Sequence, residues 1–387
     1  MPPRAAATLS VFLSGAVLAA CAWSATARAE PVSAGTGIPP AAPTQVTPVA
    51  GGLEHPWAMA FLPDGGILIT ERPGNLRLLR IPGGLSAPLK GVPKVAAQGQ
   101  GGLLDVALSP DFAKDRLVYL SYAEAGDGRA GTAVGRGRLA DDGARLEDFR
   151  VLFRQEPKLS EGLHFGSRLV LDGKGHLYIA LGENNQRSTA QDLGKLQGKV
   201  VRIRADGSVP PDNPWVGQAG KRPEVWSYGH RNPQGLAMNP WSGAIWEHEH
   251  GPRGGDELNI PQPGKNYGWP LATYGINYSG QPIPEARGER VPGTEQPLHY
   301  WRVSPGLSGM AFYDGQRFPA WRHSLFIGAL AQKELIRLTL EGDKVVAEER
   351  LLGDRGERIR EVRSGPDGYL YLLTDERDGK LLKVGAS

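Results

Sequence analysis

Cysteine is nearly absent from this sequence, because Cys21 is the single cysteine among 387 residues. One cysteine cannot form an internal disulfide bond, which excludes a disulfide-stapled scaffold. The haem-attachment pattern Cys-x-x-Cys-His and the cysteine sets that hold iron–sulfur clusters are missing as well.

Helical periodicity and an excess of one charge are also scarce. No amphipathic helix pattern longer than about ten residues stands out. The formal net charge is only +3, and Lys and Arg are dispersed among Asp and Glu without a basic stripe, which excludes a typical nucleic-acid-binding surface. Glycine (53) and proline (32) are abundant without a strict period, and the apolar stretches between them favour a loop-rich all-β protein over disorder.

The same sequence pattern does occur six times: an apolar stretch, a turn rich in Pro, Asp and Gly, and an alternating apolar strand. Each copy predicts a β-hairpin, and radial repetition of small sheets buries faces that one hairpin cannot. A spacing of roughly 45–75 residues suits propeller blades with insertions. We therefore predict a six-bladed β-propeller over residues 47–387. The copies are Trp57–Thr70, Leu104–Leu120, Arg168–Ala180, Gln234–Trp246, Gly309–Gly328 and Ile359–Leu373.

The N-terminus has the composition of a processing segment rather than of a folded domain. Arg4 precedes an apolar run from Ala5 to Ala20 that is too short and too early for a membrane span. Two cleavage sites compete: one after Ala29, giving a signal peptide of residues 1–29, and a lipoprotein box that would place a lipid anchor on Cys21. Either one predicts export to the bacterial periplasm, with residues 30–46 as a flexible tether.

Loops at one end of a propeller channel converge, so polar segments between strands are candidates for a functional site. His164 precedes the strand of the third copy and suits a general base near neutral pH. Glu183 closes the same hairpin, where its carboxylate would hold one imidazole nitrogen and make the other more basic. The structural alternative is a histidine bonded to a loop carbonyl.

Arg231 and Asn232 lie in the Gly- and Pro-bounded turn 228–235, where backbone geometry rather than packing aims the side chains. An arginine there suits an anionic or carbonyl oxygen, although a solvated loop arginine is an equal alternative. Arg358 and Arg360 alternate along an extended segment and would face one way. That arrangement favours a polycarboxylate or phosphate ligand, with surface salt bridges as the alternative.

The segment 247–257 combines histidines, acids and a Gly-Pro turn. Its spacing does not match the helical HExxH zinc motif, because on a strand His248 and His250 share one face and Glu247 and Glu249 the other. Backbone carbonyls and nearby carboxylates are instead the ligands of a hard cation such as calcium. The alternative is a blade loop held by a carboxylate bonded to backbone amides. The candidate ligands are Gly251, Pro252, Asp256 and Glu257.

Together these segments resemble the soluble pyrroloquinoline quinone (PQQ)-dependent glucose and aldose sugar dehydrogenase family, from about Leu53 to Val384. The most specific motifs are Gly-Gln-Gly-Gly-Leu-Leu (99–104), Gly-His-Arg-Asn-Pro-Gln-Gly (229–235), Gly-Lys-Asn-Tyr-Gly-Trp-Pro (264–270) and Arg-Ile-Arg (358–360). The resemblance implies a six-bladed propeller that holds the quinone in its channel mouth and oxidises an aldose at C1 to its lactone. With no haem or iron–sulfur motif in the chain, the electrons would leave to an external carrier.

The resemblance also implies a role for each candidate residue. His164 would be the base and Glu183 would orient it. The carbonyls of Gly251 and Pro252 would bind a calcium ion that also touches the quinone. Cofactor contacts would come from Gln100, Arg231, Asn232, Arg358 and Arg360, with Trp301 near the sugar.

Two positions depart from the family pattern. Glucose dehydrogenases carry Asp directly before the catalytic histidine, where this chain has Leu163, and a cofactor-binding lysine where it has Ala331, with Lys333 two residues on. We therefore expect the broader aldose dehydrogenase branch and a permissive sugar specificity. A sorbosone-dehydrogenase-like enzyme, a calcium-dependent propeller hydrolase such as a lactonase, and a propeller that only binds remain alternatives.

Overall fold

The computed structural model describes residues 44–386, together with Met1 and the backbone of residues 32–33. Cys21, both expected cleavage sites and most of the expected tether lie outside the described residues. Strands are numbered along the chain, beginning with β1 (Val32–Ser33) and β2 (Thr44–Leu53). β2 thus starts slightly before the domain boundary expected at residue 47.

The strands form six sheets, and the first three follow one another along the chain. Blade 1 contains β3 (Pro56–Phe61), β4 (Ile67–Glu71), β5 (Asn75–Arg80) and β6 (Gly84–Leu85). Blade 2 contains β7 (Leu103–Leu108), β8 (Leu117–Gly126), β9 (Arg129–Leu139) and β10 (Leu146–Arg154). Blade 3 contains β11 (Gly166–Leu171), β12 (His176–Leu181), β13 (Lys199–Arg204) and β14 (Val225–Tyr228).

The other three sheets include two additions from the N-terminal part of the chain. Blade 4 contains β15 (Pro233–Met238), β16 (Ile245–Glu249), β17 (Asp256–Asn259) and β18 (His299–Trp301), with β1 parallel to β18. Blade 5 contains β19 (Leu307–Tyr313), β20 (Ser324–Ala329), β21 (Glu334–Glu341) and β22 (Lys344–Leu351). Blade 6 contains β23 (Ile359–Ser364), β24 (Leu370–Thr374), β25 (Gly379–Ala386) and, as its outermost strand, β2.

The blades close into a ring around a central channel. The innermost strands contact one another in the circular order β3, β7, β11, β15, β19, β23 and back to β3. Antiparallel pairing of β2 with β25 joins the two ends of the domain within one sheet. The prediction of a six-bladed β-propeller is confirmed, and each of the six sequence repeats forms the two inner strands of one blade.

Helical structure in the described part is limited to one helical turn, α1 (Phe112–Asp115), and three 3₁₀ turns at Arg187–Gln191, Pro319–Trp321 and Gly353–Arg355. Among the described residues, no helix has the length and apolar character needed to cross a membrane.

The inner strands are apolar on both faces because each blade packs against its neighbours. In the seam between blades 1 and 2, Leu68 and Leu76 lie in one buried cluster with Val106 and Leu120. All four side chains are at most 1% exposed. Equivalent clusters fill the other seams, so continuous apolar runs rather than strict alternation mark the central strands.

A buried charge network crosses the channel below its mouth. Arg168 on β11 forms an ion pair with Glu361 on β23 and lies 3.5 Å from Asp105 on β7. Its Nε donates to the backbone carbonyl of Gln234 on β15, at 2.7 Å, and its guanidinium lies 4.0 Å from the ring centroid of Trp57 on β3. One side chain of blade 3 thereby contacts blades 1, 2, 4 and 6.

A second arginine balances the charge of this network. Arg363 lies 3.4 Å from Asp105 and 3.2 Å from Glu361, so two guanidinium groups face two carboxylates. On the side of blade 5, a Cβ atom at Gly309 would lie 2.8 Å from a carboxylate oxygen of Glu361. The glycine therefore allows β19 to approach the network closely.

Replacing Arg168 tests how much this network contributes to the free energy of unfolding. Arg168→Met leaves Asp105 and Glu361 with Arg363 as their one remaining cation, and breaking a buried pair in this way costs about 3–5 kcal/mol of unfolding free energy. The control is Arg145→Met, whose half-exposed side chain pairs with Asp142 and Glu147 at the surface and should cost less than about 1 kcal/mol. Urea denaturation measures both, and an equally small loss in the two variants would contradict the account.

Candidate active site

The channel mouth opens into a cavity of about 730 Å³. The cavity lies where the inner strands begin. Near that end, the pairing of each inner strand with the second strand of its blade has a register shift of the β-bulge type. Such bulges redirect side chains, which explains why residues from all parts of the chain converge there. The lining includes Trp57, Gln100, Asn232, Gly251, Arg358 and Arg360.

The predicted His164–Glu183 pair is present. Nδ1 of His164 lies 3.0 Å from Oε1 of the fully buried Glu183, and no hydrogen bond to Nε2 of His164 is found within residues 44–386. The backbone of His164 has a φ of 49°, and its carbonyl accepts hydrogen bonds from Asn184. A Cβ at Gly182 would lie 1.8 Å from that carbonyl oxygen, so the glycine is required here.

His164 itself lies just behind the cavity lining, which Phe165 and Gly166 provide. Gln100 does line the cavity, and its Oε1 accepts a hydrogen bond of 2.8 Å from the backbone N–H of His164. This contact leaves the side-chain N–H₂ group of Gln100 available as a donor. Asn232 is arranged alike, since its Oδ1 accepts from the Gly166 N–H at 3.3 Å.

Arg231 is also set back from the cavity surface. Its Nη1 donates to the carbonyls of His250 and Gly251, at 3.1 and 2.8 Å, and its guanidinium lies 5.3 Å from the ring centroid of Trp269. Nε of Arg231 is buried without a hydrogen-bond partner among the described residues. Arg231 therefore ties its own turn to the Gly251–Pro252 turn and keeps one donor unused.

Arg358 and Arg360 both line the cavity. Their alternation along the strand predicted that the two side chains would share one face. They share one carboxylate: Oδ2 of Asp375 lies 3.1 Å from Arg358 and 3.2 Å from Arg360. Burial raises the pKa of Asp375, but the charge of Arg360 and the hydrogen bond and charge of Arg358 outweigh it, so this pKa lies well below its usual value. Arg360 also donates to Gln234, at 3.0 Å.

The four residues expected to bind a cation do not form one ligand set. Gly251, Pro252 and Asp256 line the cavity, whereas Glu257 lies on the opposite side of the strand. Both carboxylate oxygens of Asp256 accept hydrogen bonds from backbone N–H groups, of Gly251 at 3.0 Å and of residues 306 and 307 at 3.1 and 3.2 Å. Asp256 therefore makes the contacts of the alternative interpretation, a blade loop held by a carboxylate bonded to backbone amides. At this turn, backbone carbonyls remain as ligands for a cation.

The side chain of Trp301 does not line the cavity, although it was expected near the sugar. It is on β18, the outer part of blade 4, is 1% exposed and packs in the core between blades 4 and 5. Its indole N–H points toward Glu348, at 3.3 Å. Ala331 lines the cavity while Lys333 is exposed outside the lining, so Lys333 does not take the place of the family lysine.

Several cavity residues were missed by the sequence analysis, among them Asp375, Trp57 and Gln234. The repeats contained a signal for Asp375. Asp375 directly follows the second strand of blade 6, and Glu183 comes two residues after the second strand of blade 3. Aligning the six repeats would have pointed to it. Trp57 and Gln234 lie inside apolar strands, and only the three-dimensional structure distinguishes them from core residues.

The charge of the cavity favours an anionic ligand. Of its carboxylates, Asp256 is bound to backbone amides and Asp375 to two arginines. Arg360 keeps Nε buried without a hydrogen-bond partner among the described residues, which gives the lining an unused donor. A planar polycarboxylate quinone fits this arrangement. The lining arginines are Arg72, Arg253, Arg302, Arg358 and Arg360.

Comparison with known proteins agrees with this geometry. The sequence model of the Glucose / Sorbosone dehydrogenase family matches residues 53–383. Aldose sugar dehydrogenase YliI of Escherichia coli K12 is 66% identical over 334 residues, which cover 86% of this chain and 90% of that protein. A glucose dehydrogenase crystal structure is 81% identical with a TM-score of 0.88, covering 89% and 100% of the two chains. The PQQ-bound aldose sugar dehydrogenase of Streptomyces coelicolor is 31% identical with a TM-score of 0.73, covering 90% and 100%.

Asp375→Asn tests the charge arrangement at the arginine pair. The pKa of Asp375 is lower in the folded than in the unfolded chain, so its stabilisation is complete above about pH 4 and is lost as the pH falls further. The variant should be about 1.5–3 kcal/mol less stable at pH 7, the usual value for hydrogen bonds to charged groups. Urea unfolding should show this difference constant from pH 7 to 5 and smaller toward pH 3, whereas a constant difference down to pH 3 would contradict the assignment.

Proposed function

The chain belongs to the Glucose / Sorbosone dehydrogenase family, and from that premise we propose that it oxidises aldose sugars at C1 to their lactones with His164 as the general base and calcium as an assisting ion. The family and the PQQ-bound relative establish the coarser activity, a PQQ-dependent sugar dehydrogenase that is a quinoprotein oxidoreductase. The finer statement rests on the residues around the cavity.

The observation that carries the proposal is the alignment of two features across one cavity. On one side, Arg358 and Arg360 present guanidinium groups in fixed positions to a ligand with several carboxylates. On the other side, His164 is oriented by Glu183 and adjoins the lining residues Phe165 and Gly166. An oriented base beside an anion-binding surface suits a cofactor-dependent oxidation of a neutral alcohol.

His164 would take the C1 hydroxyl proton at Nε2. Its Nδ1 is held by Glu183, which fixes the ring orientation and stabilises the imidazolium that forms. Gln100 and Asn232 each accept a backbone N–H through the side-chain oxygen, and their amide N–H₂ groups would orient the ligand oxygens. When bound, PQQ supplies the electrophilic carbonyl carbon that accepts the C1 hydride.

Calcium would bind at the Gly251–Pro252 turn through backbone carbonyls. Asp256 holds this turn by accepting the Gly251 N–H, and Arg231 contacts the Gly251 carbonyl at 2.8 Å. Because the carboxylate of Asp256 is already bound to backbone amides, this turn would offer carbonyl oxygens to the ion. Calcium and Arg231 would together stabilise negative charge on the cofactor oxygens.

Leu163 supports a permissive sugar pocket within this proposal. Its side chain cannot hydrogen-bond a sugar hydroxyl, and its carbonyl is used by Asn184 at 3.1 Å. A site without a buried polar partner for one hydroxyl has less basis for rejecting epimers that lack it. Export to the periplasm and an external electron acceptor complete the proposal.

The activity should require both added components. After exhaustive chelation, the protein should be inactive and should regain dye-linked aldose oxidation only when calcium and PQQ are supplied together, because the cavity offers arginines to the quinone and carbonyls to the ion. Single additions of each component are the controls. Full activity after chelation, without added quinone, would contradict the proposal.

His164→Ala should separate the role of His164 as general base from any role in cofactor binding. We expect kcat to fall by about 10²–10⁴-fold, the usual contribution of a positioned general base, while the affinity for PQQ stays near that of the parent protein. His176→Ala is the matched control, since His176 forms a similar pair with Asp172, at 2.8 Å, at the opposite end of β12. A loss confined to KM in the His164 variant would place the base elsewhere.

A further inference from the structure

A group of buried polar side chains lies in blade 4, outside the cavity. Glu247 and Glu249 are two residues apart on β16 and share one face of the sheet. On β17, Glu257 is paired with Glu249 and Asn259 with Glu247. All four side chains are at most 9% exposed, so three carboxyl groups are removed from water within one small patch.

His230 completes this patch from the turn before β15. Its Nδ1 lies 3.3 Å from Oε1 of Glu249 and 3.8 Å from Oε2 of Glu247, and the donor atoms of the three residues all lie within 4.8 Å of one another. Ligand atoms at about 2.1 Å from a tetrahedral metal ion are about 3.4 Å apart. The two distances from Nδ1 of His230 are therefore close to the spacing of ligands around a metal ion.

Neighbouring residues hold the side chains of His230 and Glu247 in place through hydrogen bonds and ring stacking. Nε2 of His230 lies 2.8 Å from Oγ of Ser227, which leaves Nδ1 to face the carboxylates. Nδ2 of Asn259 donates to Oε2 of Glu247, at 3.2 Å, and the ring of Tyr267 stacks on the imidazole with the centroids 4.9 Å apart. A second hydrogen bond on the far nitrogen is typical of metal-binding histidines.

Two acceptors of the group, Oε1 of Glu247 and Oδ1 of Asn259, have no hydrogen-bond partner among the described residues. Oε1 of Glu247 is buried without a hydrogen bond in the described part of the chain, and the carboxylate that carries it faces the imidazole of His230. Neither Glu247 nor Glu249 forms an ion pair with a lysine or arginine there. A buried, unsatisfied carboxylate is costly unless a cation or a proton compensates it.

The other charged groups that face the patch do not neutralise it. Arg231 directs its guanidinium to backbone carbonyls, and its backbone N–H binds Glu249. A bound cation or a proton would compensate these carboxylates, and no lysine or arginine side chain among the described residues does so.

We propose that His230, Glu247 and Glu249 bind a divalent first-row transition metal ion, with zinc as the best match to one imidazole and two carboxylates. Imidazole ligands favour zinc and its neighbours over calcium, which prefers oxygen ligands alone. The site is separate from the Gly251–Pro252 turn, where only carbonyls face the cavity.

The ion would have a structural role at the cavity wall. His230 directly precedes Arg231 and Asn232, and Glu249 accepts the backbone N–H of Arg231. Glu249 also leads into the segment that carries Gly251. A metal ion would therefore fix the turn with Arg231 against the strand that ends at the Gly-Pro turn, without itself touching substrate. This inference does not require the proposed sugar specificity.

Metal binding to the whole protein tests the proposal. The chelator-treated protein is dialysed against zinc in the presence of millimolar calcium, and the bound metals are measured by mass spectrometry. We expect about one tightly bound zinc per chain and a rise in Tm of a few degrees on zinc addition. His230→Gln and Glu247→Gln should each weaken zinc binding by about tenfold or more, as lost ligands do.

The matched control is Glu348→Gln. Glu348 is another buried carboxylate bonded to a histidine, His299, at 2.8 Å, but without a second acid beside it, so this variant should retain its zinc. Absence of stoichiometric zinc in the unmodified protein, or equal binding by all variants, would overturn the proposal.

Cobalt binding to the unmodified protein tests the proposal even if the variants fail to fold. One equivalent of Co²⁺ added to the unmodified protein should give visible ligand-field absorption bands of a low-coordinate nitrogen–oxygen site. Their absence, or their removal by excess calcium at the same concentration that fills the calcium turn, would contradict the assignment.

Discussion

The buried ion pairs of Arg168 hold the channel mouth together. A six-bladed ring leaves a central channel, and below its mouth Arg168, Asp105 and Glu361 are at most 1% exposed, so their charges must compensate one another. Arg168 fills this space with contacts to four other blades, and its partner Glu361 adjoins Arg360 in sequence. The positions of Arg360, Gln234 and Trp57 at the cavity floor thus follow from one charge-balanced contact. The cavity can be strongly positive because its own floor is already neutral.

The cavity combines rigid supports with unused donors. Asp256, Asp375 and Glu183 each hold the groups that surround the ligand rather than the ligand itself. This division explains why the carboxylates of the site contact protein groups, while arginine side chains line the open space. An arrangement of that kind favours an anionic ligand.

The fold was predictable from sequence because the repeated unit is local. Each copy encodes a hairpin by its turn residues and apolar strands, and six copies define the ring. The pairing of His164 with Glu183 was predictable for the same reason, since one hairpin joins them. Trp301 was misplaced because its neighbours in sequence say nothing about which face of an outer strand it occupies. Asp375, Gln234 and the Arg168 network depend on contacts between blades, which no local pattern records.

The central claim is that the arginine face of the cavity holds the quinone by its carboxylates. Calorimetric titration of PQQ into the calcium-loaded apo-protein tests it most directly, with Arg360→Gln compared against the parent protein and against His164→Ala. The account predicts that Kd rises about tenfold or more in the arginine variant, the effect of losing one charge-assisted hydrogen-bonded pair, and stays within about twofold in the histidine variant. An unchanged Kd for Arg360→Gln would contradict the account.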